Sequence, residues 1–491
     1  MRYRHLAMWI AAIGCLGAGP HPALAGRLPR YSGTLRIQLP TVPKALDPLR
    51  VAGDADALVA ACVFEGLTTW GAERAAPGLA RRWLSGDDDK RWVFYLRPDA
   101  VFHDGTPCDA EAVSASLHRL ADPHLSNHAW ILQALVGWDD YAQGKTPHLE
   151  GVYVVSPTEM ELLFSRPVPD LAERLALPAA AIVRAQGDVC AGTGPFRVAE
   201  ITATAVQLAA FDRHYAGRPF LDQLEFRAGL DSVATGRLRR IDPTVTTAGS
   251  RTIRVPAWRL AVALVPPKSA ALSTRSARRR LQAFDSSEFV REALSGDGEP
   301  AEGLVPGGAA PPPAAAAVES GEAAPARQRV RIVVAEQEPV LQKIGARLRA
   351  ELVASGQDAE LDALPAGEFA TVVQAGSCDV VLLGWTPPQP AGEMSEAARV
   401  RYALSALLQP VLGEPAPAEV GKGDRLPAAW RPLVNGRDAP TETALLATGH
   451  LVPLLFFHDT WEAPAALANV HAATLAADLG LASAHFEPKA P

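Results

Sequence analysis

Two histidine–aspartate pairs are the first residues in this chain with the types to do chemistry. His103 and Asp104 sit in the turn Phe102-His103-Asp104-Gly105-Thr106-Pro107, and His458 and Asp459 follow a late apolar run; either pair could be an acid/base couple or half of a metal site. In a turn bounded by Gly and Pro, however, such a pair is placed to hydrogen-bond its own loop, and neither pair has a third partner at a readable spacing. Gly192-Thr193-Gly194 is glycine-rich, but Pro195 removes a backbone donor where a phosphate cradle needs one. The chain has no G-x-S-x-G elbow, no H-E-x-x-H and no G-x-x-x-x-G-K-[ST] loop. Cys62, Cys108, Cys190 and Cys378 are widely spaced, with no Cys-x-x-Cys and no zinc-like Cys/His cluster. They are expected to form one or two disulfides or to stay free and buried, and no metal or cofactor is expected. An enzyme is therefore disfavoured, and a binding protein is the better expectation. Trp385 fits that role: it follows Asp379 to Leu383 and Gly384, and precedes Thr386-Pro387-Pro388, which places an aromatic ring at a strand end, where ligand sites in open sheets gather.

The elements that must position these residues can be read from periodicity. Thr34 to Leu39 alternates with period two and predicts a half-buried strand; Ala57, Leu58, Ala61, Val63, Phe64 and Leu67 fall near helical spacing, with Gly66 as a stop. Arg91 to Leu96 reads as a strand, and Thr106-Pro107 as the start of a helix whose face carries Ala110, Val113, Leu117 and Leu120. Gly151 to Val155 and Met160 to Phe164 flank Ser156-Pro157-Thr158-Glu159 as a hairpin, and Leu171 to Val183 reads as a helix. Strands are predicted over Phe196 to Glu200, Ala205 to Phe211, Gln223 to Ala228, Trp258 to Val265, Val330 to Ala335, Asp379 to Leu383 and Leu451 to Phe457, with an amphipathic helix over Leu341 to Val353. Residues 306–326 are Ala/Pro-rich and read as a linker. Strands and helices mix without a strict βαβ repeat, so the fold class is mixed α/β (α+β) in several lobes.

Composition sets the setting. The chain has 491 residues, 47 basic against 54 acidic side chains and a net charge of −7, which argues against a general nucleic-acid binder. Arg2 and Arg4, the apolar stretch Leu6 to Gly19 and Ala23-Leu24-Ala25 have the form of a secretory leader cleaved near Ala25. A competing reading makes Cys15 a lipid-anchored N-terminus, but Ala12-Ile13-Gly14-Cys15 lacks the usual Leu three residues before the cysteine. The apolar stretch falls short of the ~20 residues that span a bilayer, so an exported, soluble, periplasmic protein is expected.

Across residues 34–230, and more faintly from 250 onward, the order of short motifs resembles the family-5 extracytoplasmic solute-binding proteins, the peptide- and nickel-type receptors of ABC importers. The motifs are Leu46-Asp47-Pro48; Phe64-Glu65-Gly66-Leu67; Pro77-Gly78-Leu79-Ala80 with Trp83; Trp92 to Pro98; Val101 to Pro107 followed by Ala110-Glu111-Ala112-Val113; Gly192-Thr193-Gly194-Pro195-Phe196; His214-Tyr215-Ala216-Gly217-Arg218-Pro219; and Gly384-Trp385.

The resemblance implies a two-lobed, periplasmic-binding-protein type II-like fold with an inserted subdomain. Its first lobe would combine residues 26–70, 187–250 and 448–491, its subdomain 71–186 and its second lobe 251–447. It further implies a monomer that closes on a small organic solute, a peptide or related compound, and delivers it to a membrane permease. Implied solute contacts are Thr41 and Pro43, Phe64 and Glu65, and Gly384, Trp385 and Thr386. This chain departs from the family where peptide-binding members carry an Asp soon after Gly-Trp to pair with the ligand's α-amine: here no acid occurs before Glu393. That departure, with the Ala/Pro linker, supports an alternative in which a transport-deficient relative serves as an accessory, sensory or chaperone-like binding protein.

Overall fold

In a computed structural model the described residues are 31–39, 42–43, 46–51, 54–71, 74–126, 128–186, 189–228, 239–241, 250–266, 269–306, 329–387, 394–412, 441–468, 481 and 484–486. The leader and Cys15, Thr41, nearly all of the Ala/Pro linker and Glu393 lie outside them. No helix among the described residues is long and apolar enough to cross a membrane.

The first lobe opens with β1 (Thr34–Leu39), whose alternate residues Leu35 and Ile37 are fully buried, and α1 (Asp54–Val63). The inserted subdomain follows, with β2 (Ala80–Gly86), β3 (Arg91–Leu96), α2 (Ala110–Ala121), β4 (Val152–Ser156), β5 (Glu159–Leu163) and the short α3 (Leu171–Leu175). Its antiparallel sheet runs β2-β3-β5-β4, and the apolar face of α2 packs into the same core as Phe94, Met160 and Leu162. Two expectations need correction here. The helix begins at Ala110, not at Thr106, because Asp109 is the cap and accepts the Ala112 N–H at 3.0 Å. The helix expected over Leu171 to Val183 stops at Leu175, since Pro178 forces Leu177 to an extended ψ of 144° and a separate 3-10 turn, Pro178–Ala180, follows.

The chain returns to the first lobe with β6 (Phe196–Ile201), β7 (Ala205–Ala210) and β8 (Gln223–Ala228). The sheet runs β1-β8-β7-β6, with β1 parallel to β8 in the register Leu35↔Leu224 and Ile37↔Phe226. All four of those residues are completely buried, which fixes the register because a one-residue slip would turn them to the opposite face.

A larger sheet spans the rest. It is built from β9 (Arg239–Ile241), β10 (Ser250–Leu264), β11 (Gly298–Pro300), β12 (Val330–Ala335), β13 (Ala359–Leu364), β14 (Val380–Trp385) and β15 (Leu451–Pro464), in the order β9-β15-β10-β14-β12-β13 with β11 beside β15. Helices α4 (Pro339–Ala354), α5 (Ala366–Ala375) and α6 (Glu396–Leu412) pack on it. The strands expected from Trp258 and over Leu451 to Phe457 prove much longer, because β10 and β15 each serve both lobes. Val255, Trp461 and Ala463 lie in the first-lobe core, whereas Leu260, Val262, Leu454 and Leu455 lie in second-lobe clusters. The register shifts between Arg254 and Trp258, around Pro256, which has no N–H to give the ladder. Along these two strands the buried residues pass from one hydrophobic cluster to the other near 255–258 and 458–460.

Candidate functional site

The handover between lobes carries a set of buried polar groups, among them Arg259, His458, Asp459 and Thr460. Arg259, 3% exposed, sits on β10 just past the register shift and donates to both carboxylate oxygens of Glu338, at 2.7 and 3.0 Å. It also meets Asp459 of β15 at 3.3 Å. Glu338 holds the cap position before α4, where a carboxylate favours the helix dipole, and Asp459 lies where β15 passes from one lobe to the other. Beside them the Trp258 and His458 rings stack at 3.9 Å, and His458 Nδ1 lies 3.1 Å from the Val255 carbonyl. His458 and Asp459 are thus spent on the crossing itself.

The Arg259 guanidinium lies over Gly384, which explains the glycine in the Gly-Trp pair. A Cβ there would come within 2.5 Å of both Nε and Nη2. Trp385 ends β14 opposite Leu260, is 4% exposed and faces the Tyr402 ring of α6 at 6.0 Å. The indole N–H of Trp385 and the hydroxyl of Thr386 have no hydrogen-bond partner among the described residues, although both are buried. Two buried donors left this way cost about 1–3 kcal/mol each, so an acceptor at this strand end would be held firmly.

The first-lobe candidates form a second group. Phe64 is buried directly after α1, and Pro43 is buried in the loop after β1. Gly192 approaches so closely that a Cβ would meet Phe64 Cδ1 at 2.6 Å. The Glu65 carboxylate accepts from Thr193 Oγ1 at 3.1 Å, from His214 Nε2 at 3.1 Å and from Tyr215 OH at 2.9 Å. Burial, and then the Glu65 charge, push the Tyr215 hydroxyl well above its ordinary range, while Arg97 stacks on its ring at 4.5 Å. His103 Nε2 reaches the Gly194 carbonyl at 2.9 Å, and burial lowers its pKa despite that bond. Asp104 accepts from the Thr106 backbone and hydroxyl, closing its own turn, and pairs with Arg184 at 2.6 Å. Phe64 and Trp385 belong to different hydrophobic clusters, so the two groups of candidates are built by separate lobes.

Sequence reading missed Arg259, Glu338 and the Glu65 network. Thr193, His214 and Tyr215 were visible only as separate motif fragments; that they converge on one carboxylate is a product of the fold. Cys62, Cys108, Cys190 and Cys378 are buried thiols and form no disulfide among the described residues. Burial pushes the thiols of Cys108 and Cys378 up to about 12 and that of Cys190 to about 11, so none is a reactive thiolate at neutral pH. Among the described residues no group of three His, Cys, Asp or Glu is placed to hold a metal ion.

Two lobes, an inserted subdomain and strands shared at the crossing are a recurring architecture. Residues 74–240 match the family described as "Bacterial extracellular solute-binding proteins, family 5 Middle". That stretch is a family-5 solute-binding region. This chain is 34% identical over 140 residues to the periplasmic oligopeptide-binding protein OppA of Escherichia coli strain K12, covering 28% of this chain and 26% of OppA. It is 30% identical over 207 residues to the uncharacterized protein YbaE of the same strain, covering 42% and 34% of the two chains. These matches span about a quarter to a third of the curated relatives' own length. The likeness in fold extends further: the Escherichia coli murein tripeptide binding protein MppA aligns with a TM-score of 0.72 at 16% identity, over 94% of this chain and 100% of that one. The chain therefore has the mixed α/β, two-lobed fold of the periplasmic binding proteins.

Proposed function

We propose that this protein is an exported receptor that captures a small organic solute, a peptide or related compound, by closing its two lobes on it and then delivers the solute to an ABC permease in the inner membrane. The observation that carries this reading is the crossing: two strands, β10 and β15, join the lobes at a register shift, and the end of β14 that carries Trp385 pairs with β10 at Leu260, close to that shift. A solute that touches both lobes only when they are shut moves the balance between open and shut by its difference in contact. A shift from 1:99 to 99:1 needs about 5.5 kcal/mol of such preference.

The solute contacts on this reading are Thr41, Pro43, Phe64 and Glu65 from the first lobe and Gly384, Trp385 and Thr386 from the second. Glu65 contributes by holding Thr193, His214 and Tyr215 in place. With no acid directly after Gly-Trp, and with two donors at Trp385 and Thr386, the second lobe is suited to an acceptor group such as a carbonyl or carboxylate. No bond in the solute is made or broken, no cofactor or metal takes part, and the protein works as a monomer. The leader at residues 1–25 and the periplasmic names of relatives such as OppA support the location. The test is a thermal-shift and native mass spectrometry screen of the purified protein against peptide and metabolite panels. A saturable rise in Tm with a matching bound mass supports the receptor; no bound species and no shift across the panels refutes it.

A further inference from the structure

The inserted subdomain touches the second lobe directly, through residues far apart in sequence. Asp170, at the start of α3, is 3% exposed. Its Oδ2 accepts from the backbone N–H of Ser395 at 2.9 Å and from the Ser395 hydroxyl at 2.7 Å, across 225 residues of chain. Ser395 immediately precedes α6, and its oxygen in turn accepts the Ala398 N–H at 3.4 Å, so the subdomain's carboxylate completes the helix cap. Arg174 pairs with the other oxygen of Asp170 at 2.7 Å and lies over the Trp130 ring at 5.9 Å. A second polar contact joins Arg401 to Gln133 Oε1 at 2.7 Å. Between the two, Met394 and Ala398 are 2% and 1% exposed and belong to the subdomain core. Residues 398, 401 and 402 share one face of α6 and Met394 lies just before the helix, so the start of α6 offers the subdomain a single stripe, and Tyr402 on that stripe also packs against the cluster that holds Trp385.

We propose that this junction is a closure clasp: the subdomain grips the N-terminal turn of α6 when the lobes are shut and lets go when they open. The inserted subdomain thereby sets how readily the empty protein closes, without touching solute. The inference rests on the receptor reading only in assuming that the lobes move about the crossing. A strand-only hinge leaves the resting balance to β10 and β15; the clasp adds a charge-assisted bond and a buried apolar stripe whose loss shifts the balance toward open.

The test uses no ligand. Dyes are placed on Leu84→Cys in the subdomain and Val353→Cys in the second lobe, both exposed positions, in a Cys15→Ser background; the other four cysteines are buried. Single-molecule energy transfer then reads the inter-lobe distance in the wild-type background and in Asp170→Asn, Ser395→Ala and their double variant. The clasp predicts a long and a short distance, with the long:short ratio raised about tenfold or more by either change and no further by both together. Gln133→Ala, at the other end of the stripe, is expected to move the ratio the same way. A single unchanged distance in all variants, or a loss of Tm with the distance distribution intact, would show a fixed weld and overturn the proposal. The receptor reading fails separately, if distances respond to these variants but no panel solute ever binds.

Discussion

Replacing Gly384 by Ala tests whether the Gly-Trp pair is shaped by Arg259. The backbone there suits any residue, so only space opposes the new methyl group, and that space is filled by the guanidinium at 2.5 Å from two of its nitrogens. Ordinary contact for a Cβ begins near 3.4 Å, so the guanidinium must move by about 1 Å. It cannot move freely: Glu338 holds it at 2.7 and 3.0 Å, Asp459 at 3.3 Å, and its side chain is 4% exposed. Deleting one partner of a buried ion pair costs about 3–5 kcal/mol, and a forced displacement forfeits part of that, so we expect about 2–4 kcal/mol. In a lobe of this size each kcal/mol lowers Tm by roughly 2–4 °C, which gives a fall of about 5–15 °C in the calorimetric transition. Gly367→Ala is the control, because nothing lies within 4 Å of its Cβ and a helical Gly→Ala change should be neutral or stabilising by up to about 1 kcal/mol. A Gly384→Ala protein that melts within about 1 °C of the parent, or that keeps the Arg259–Glu338 pair undisturbed in a crystal structure, would refute the reasoning.

Trp385→Phe keeps an aromatic ring but removes the indole N–H; once a solute is identified, its affinity should fall by more than ~1 kcal/mol, read by calorimetric titration with circular dichroism unchanged. Equal affinity in both proteins would remove Trp385 from the site. His128 is 6% exposed, and burial lowers its pKa to about 4 from a usual ~6.5, so on acidification the unfolded chain takes up its proton first. Stability tied to the neutral ring is complete above about pH 6.5 and is lost as pH falls toward 4, amounting to roughly 2–3 kcal/mol at pH 4.5. His128→Asn should flatten that part of the pH–stability curve, and urea titrations at pH 7 and 4.5 showing the same slope in both proteins would contradict it.

Local pattern was enough to read the strands that bury one face. Thr34–Leu39 and Val330–Ala335 carry their alternation or apolar run within themselves, and both strands have the bounds that the sequence predicts. Pattern failed where the deciding partner was distant. The apolar run from Leu451 ends at Phe457, yet β15 continues through His458, Asp459 and Thr460, because Trp258, Arg259 and Arg254 of β10 receive those residues. No period reveals such a partner. The Leu171 to Val183 stretch failed for a local reason, Pro178, whose effect on the preceding residue was readable and outweighed the spacing.

The candidate site divides in the same way. The position of Gly384, Trp385 and Thr386 at the end of a buried strand was legible, because the apolar run before them is short and closes on a Gly and two prolines. Arg259 sits in an unremarkable strand 79 residues before Glu338 and 200 before Asp459, so nothing in its neighbourhood marks it as the group that fills the space over Gly384. Glu65 was legible as a motif residue, but its three hydrogen-bond donors come from positions 193, 214 and 215 and turn it inward on its own lobe. Thr41 lies outside the described residues, so its contact with solute belongs to the proposal alone.

The most direct test of the account is small-angle X-ray scattering of the purified chain, first stripped of any co-purified solute and then titrated with a solute found by native mass spectrometry. Two lobes that swing about β10 and β15 predict a radius of gyration that falls saturably with solute and returns when it is removed. A radius unchanged at full occupancy would contradict closure.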